Sequence, residues 1–64
     1  MTAKDLLEKA EELRRNALFG EAINFYRAAA AAPDATEEII KKSLTSVELM
    51  QEINGFVNVD LMNP

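Results

Sequence analysis

The run "LFGEAINFYRAAAAAP", residues 18–33, decides how this chain folds. Ala22, Phe25, Tyr26 and Ala29 recur at helical spacing and make one buried stripe, with Ile23 and Ala30 on its flank. Five consecutive alanines, beginning at Ala28, prolong that helix readily, because alanine has the highest helix propensity. Their methyl groups also let a second backbone come close, so the run reads as a packing seam. Pro33, which has no amide hydrogen to give and a fixed φ, ends the helix. The spacing therefore predicts a helix over about 19–32 whose neighbour lies unusually near.

Upstream, Thr2 and Asp5 have the spacing of a capping box, with aspartate in place of the usual glutamate. Ala3, Leu6, Leu7, Ala10, Leu13 and Ala17 then form the apolar stripe of a first helix. Asp5 with Lys9 and Glu11 with Arg15 stand four apart in the favourable order. The break falls in "RNALFGE", where Asn16 is the expected left-handed cap and Gly20 relaxes the backbone. Downstream, Asp34 with Glu37 reads as the capping box of a third helix over about 35–54. Ile39, Ile40, Leu44, Val47, Met50 and Ile53 are its expected core side, and Glu37–Lys41 and Glu38–Lys42 its surface pairs. Asn54 and Gly55 stop it. The tail over 55–64, "GFVNVDLMNP", is too apolar for a solvated end. It is expected to be ordered, either folded back over the helices or against another chain.

The expected fold is thus all-α: an antiparallel helix-turn-helix hairpin over about 3–33, a third helix closing it, and an ordered C-terminal tail. With 64 residues there is room for one small domain, and 48% hydrophobic residues suffice for its core. No cysteine excludes disulfides and thiolate metal sites, and no histidine removes the commonest general base and metal ligand. A formal charge of −4 argues against a nucleic-acid partner, whose phosphates call for a basic face. No apolar run approaches the ~20 residues of a membrane span. The charged opening "MTAKDLLEKAEELRR" lacks the apolar core of a signal peptide, so a cytoplasmic location is expected.

Over residues 3–36 the sequence resembles the tetratricopeptide repeat, whose two helices carry the pattern W-x₂-L-G-x₂-Y…A-x₃-F…P. Leu6 stands at the first large position, Ala10 at the small one and Leu13 at the next large one. Ala22, Tyr26, Ala29 and then Pro33 follow in the second helix. Lys9 replaces a typical leucine, the interhelix glycine is displaced to Gly20, and Pro33 arrives one residue early. "DLLEKA" beginning at Asp5 and "EIIKKS" beginning at Glu38 match in character 33 residues apart, close to the repeat length. The third helix would then be the first helix of an incomplete second repeat, acting as a cap. Repeat proteins normally need about three units to cover their faces. The tail, or a second copy of the chain in a twofold homodimer, is expected to supply the missing cover.

The resemblance implies protein or peptide binding rather than catalysis. In its register Leu7, Glu11 and Arg14 project toward the peptide groove of such repeats, and they are the candidate partner-binding residues. No catalytic, cofactor or metal site is expected. Ser43 and Ser46 with Lys42 have no catalytic spacing, Glu48 with Glu52 reads as a solvated pair, and the two glycines stand too far apart for a phosphate loop. Two other readings remain: an accessory or regulatory subunit of an enzyme complex, and a three-helix trafficking-type domain that binds helical tails through helix three.

Overall fold

The computed structural model describes residues 1–53, which form three helices: α1 (Ala3–Arg15), α2 (Phe19–Ala31) and α3 (Glu37–Ile53). The fold is all-α. α1 and α2 form a helix-turn-helix hairpin, α2 also packs along α3, and α1 touches α3 only lightly. α2 is therefore the central element of a flattened body measuring 31 × 28 × 15 Å. The tail over 55–64, with the Asn54–Gly55 stop and the side chain of Ile53, lies outside the described residues.

The start of α1 is fixed twice. Thr2 Oγ1 accepts the Asp5 amide hydrogen at 3.1 Å, and the Asp5 carboxylate accepts the Thr2 amide at 3.3 Å, completing the expected capping box. The Ala3 amide, which no residue of its own helix can satisfy, donates to both carboxylate oxygens of Asp34 at 3.1 Å. Asp34 sits in the turn after α2, so that turn lies beside the beginning of α1. This clamp makes α1 and α2 antiparallel and starts α3 at the same end as α1.

Asp34 is accordingly not the cap of α3. Thr36 takes that role, its Oγ1 accepting the Ile39 amide at 3.2 Å, and α3 begins at Glu37 rather than near Ala35. Glu37 and Glu38 then occupy the first turn, where the helix dipole favours negative charge.

The first turn of the chain also departs from expectation. Asn16 has φ −92°, and the left-handed residue is Ala17, at φ 62°. The Leu18 amide reaches back to the Leu13 carbonyl at 2.9 Å, and the Ala17 amide to that of Arg14 at 3.0 Å. Those two bonds define a Schellman ending, with alanine in the place glycine usually fills. Ala17 is thereby exposed in the turn and does not extend the apolar stripe of α1. Gly20 lies inside α2, where a Cβ would meet nothing within 4 Å. At the other end of α2, Ala32 adopts φ −67° and ψ 144°, the extended conformation a residue before proline prefers.

Ala10, Ala22, Ala29 and Tyr26 are 0% exposed, and Leu7 and Leu13 are buried with them. The core cluster thus contains alanines of both hairpin helices, at helical spacing on α2. Of the five-alanine run only Ala29 is fully buried; Ala28 and Ala31 are exposed, and Ala30 and Ala32 lie between. Ile23 is buried, whereas Phe25 is only half-buried and packs against the core from its edge.

α3 departs most from its predicted face. Val47 and Met50 are buried as expected, but Ser43 and Ser46 are buried beside them. Ile39 and Ile40 are half-buried, and Leu44 is 49% exposed. Two small residues of α3 thus face inward, and Ser43 is as fully buried as Tyr26 of α2.

Candidate functional site

The three predicted partner-binding residues share one stripe of α1, being four and three residues apart. The structure treats them differently. Leu7 is buried in the core, Arg14 is exposed in the last turn, and Glu11 is partly buried at the edge facing α3. Glu11 Oε2 meets Lys42 Nζ of α3 at 3.5 Å, with the side chains 25% and 57% exposed. Among the described residues this is the single ion pair, so the predicted four-apart pairs on α1 and α3 do not close, and Lys42 turns to α1 instead of Glu38.

That pair fixes the side of α3 that looks toward α1. Leu49 lies seven residues beyond Lys42, two turns along the same face, and is 48% exposed. Because α1 and α3 start at the same end, Arg14 and Leu49 both lie on the C-terminal side of the Glu11–Lys42 contact. α1 and α3 touch only lightly, and the furrow between them is the one any two adjoining helices leave. The ion pair spans it, and Arg14 and Leu49 are exposed farther along the two helices.

Lys42 and Leu49 were not among the residues expected here. Their seven-residue spacing is visible in the sequence, but only the juxtaposition of α1 and α3 gives it meaning.

The chain matches no protein-family model, no curated protein and no solved structure.

A mixed ion pair in a half-open setting gains little from its own Coulomb attraction, since exposed pairs contribute roughly 0–1 kcal/mol. Its charges can therefore be shared with an incoming group at small cost. Among the described residues no cluster of acids could hold a metal ion, and no helix is long and apolar enough to cross a membrane. Two hydroxyls are buried without a partner, Tyr26 Oη and Ser43 Oγ. Both lie within the core rather than at the furrow, and neither has a base beside it.

Proposed function

We propose that the chain is a small protein-interaction module of tetratricopeptide type, a non-catalytic adaptor or scaffold that takes a short segment of a partner protein between α1 and α3. What supports this reading is the lightly packed junction of α1 and α3, spanned by the Glu11–Lys42 pair, with Arg14 and Leu49 exposed on the two helices beyond it. An apolar side chain in the segment would cover Leu49, and an acidic one would meet Arg14.

The family resemblance is supported by what its signature positions do. Ala10, Ala22 and Ala29 are fully buried at the helix crossing, and Leu13 and Tyr26 are buried around it. Thirty-three residues beyond Ala10 and Leu13, Ser43 and Ser46 are buried as well, in keeping with α3 as the opening helix of a second unit.

The test is a chemical-shift titration of the isotope-labelled chain with peptides selected on it from a random library. Shifts at Glu11, Arg14, Lys42 and Leu49, lost in Arg14→Glu and Leu49→Glu, are expected. Selected peptides that instead shift the far flank of α3, or a library that yields no binder, would overturn the furrow as the binding site.

A further inference from the structure

We infer that the flank of α3 turned away from α1 is a self-pairing surface, on which a second copy of the chain docks its own α3 antiparallel about a twofold axis near Leu44. Glu37, Ile40, Leu44, Val47 and Gln51 follow one another at spacings of three, four, three and four residues, the seam of a helix–helix contact. Val47 closes this chain's own core, Ile40 is half-buried, and Leu44 is 49% exposed with no described element over it. A shallow groove along this flank is lined by Glu37, Glu38, Ile40, Lys41 and Leu44.

The occupant is argued from charge. Lys41 and Glu48, both exposed, border the seam on the same side, seven residues apart. Turned about a twofold axis at Leu44, an identical helix sets the partner's Glu48 beside Lys41 and the partner's Lys41 beside Glu48. Leu44 meets its own copy at the centre, and Ile40 comes level with the partner's Glu48, packing on its methylenes. Glu37 faces the partner's Gln51, which carries no charge. Glu52 comes alongside the first turn of the opposing helix, where the dipole favours an acid but Glu37 and Glu38 already stand, so this end of the contact adds repulsion and keeps the pairing weak. One strip of this helix thus complements itself in the antiparallel direction. A parallel pairing would set Glu37 against Glu37 in the seam and would carry each copy's Lys41 and Glu48 to the side of the seam opposite the partner's, so that neither pair could close. Two apolar residues per copy make a small contact, so the association is weak and sits at the low end of specific interfaces.

Sedimentation equilibrium of the full chain, from roughly 10 μM to 1 mM, tests this over the affinity range open to so small a contact. The mass is expected to rise toward twice the monomer's, and Leu44→Glu is expected to hold it at the monomer while circular dichroism keeps its helical signal. Lys41→Glu and Glu48→Lys should each weaken association at least three-fold, and the double exchange should restore it. Leu49→Glu, on the opposite flank, should leave the mass unchanged while abolishing peptide capture in the furrow, so the two sites fail separately. A monomer at every concentration overturns the inference. So does a dimer that survives Leu44→Glu, or a double exchange that fails to restore association.

Discussion

α2 carries two interfaces, and they are made differently. The hairpin buries alanines on both helices, Ala10 on α1 and Ala22 and Ala29 on α2, and no polar side chain is buried on α1. Toward α3, α2 meets a helix that buries two serines, and among the described residues the buried hydroxyls without a partner, Tyr26 Oη and Ser43 Oγ, belong to α2 and α3. Close approach is achieved on one side by methyl groups. On the other, small size comes with an oxygen that finds no donor or acceptor. An unsatisfied buried polar group costs about 1–3 kcal/mol, whereas a buried methyl costs nothing of the kind. The hairpin is therefore the part of the body closest to an optimum, and α3 is held less well than its length suggests.

The largest expected effect lies in the hairpin seam. Ala29→Leu should destabilise by about 1–3 kcal/mol, because a packed crossing has no space for three more carbons. In a domain this small that is a large share of a total of roughly 3–10 kcal/mol. Ala28→Leu, one residue away on the exposed face, should change stability by less than about 0.5 kcal/mol. Urea melts of the two variants make the measurement. Equal losses would show that the alanine run matters as a run, and the contrast drawn between the two faces of α2 would fail.

Next comes the tie between the two turns. Asp34→Ala removes both acceptors of the Ala3 amide, and with them the link that sets the start of α3 beside the start of α1. A loss of ~1 kcal/mol is expected, at the low end for a charge-assisted bond because Asp34 is solvent-exposed. Asp34→Asn, which keeps one acceptor, should recover part of it. A variant with unchanged stability would mean that α3 is positioned by its contact with α2 alone.

The interface with α3 should improve when its hydroxyls are removed. Tyr26→Phe and Ser43→Ala are each expected to be neutral or to raise stability by up to ~1 kcal/mol, since both groups give up hydration and receive nothing for it. Part of the serine effect would come from the better helix propensity of alanine. Destabilisation by either change would reveal a bond to that hydroxyl and remove the asymmetry between the two interfaces.

The hairpin was legible in the sequence because its stripe positions obey a single rule, apolar residues at helical period, and because Thr2 and Asp5 cap locally. What periodicity missed was set by distance and size. Asp34 has the spacing of a local cap, yet it is drawn to an amide 31 residues earlier, leaving Thr36 to cap α3. On α3 the largest apolar residues suggested a core through Leu44, whereas the inward face carries Ser43 and Ser46 with Val47 and Met50 and leaves Leu44 out. For the candidate site, the stripe Leu7, Glu11 and Arg14 was readable from spacing. Lys42 and Leu49 depend on how α3 lies against α1, which no local pattern encodes.

The smallest effect concerns the turn that makes the hairpin possible. Ala17 holds φ 62°, a conformation that crowds its Cβ against the backbone and costs roughly 1 kcal/mol relative to glycine. Three residues later Gly20 spends its freedom inside a helix, where a methyl group would meet open space. The two residues would serve better exchanged. Ala17→Gly is expected to gain up to ~1 kcal/mol through the relieved cap, reduced by the extra freedom glycine gives the unfolded chain. Gly20→Ala is expected to gain about 0.5 kcal/mol, less than a full interior helix position because it lies in the first turn. The sites share no contact, so thermal melts of the double variant should show the sum of the two. A loss on Ala17→Gly would mean that the turn is stabilised by more than its two backbone bonds, and the hairpin would then owe its geometry to Ala17 itself rather than to the alanine seam beyond it.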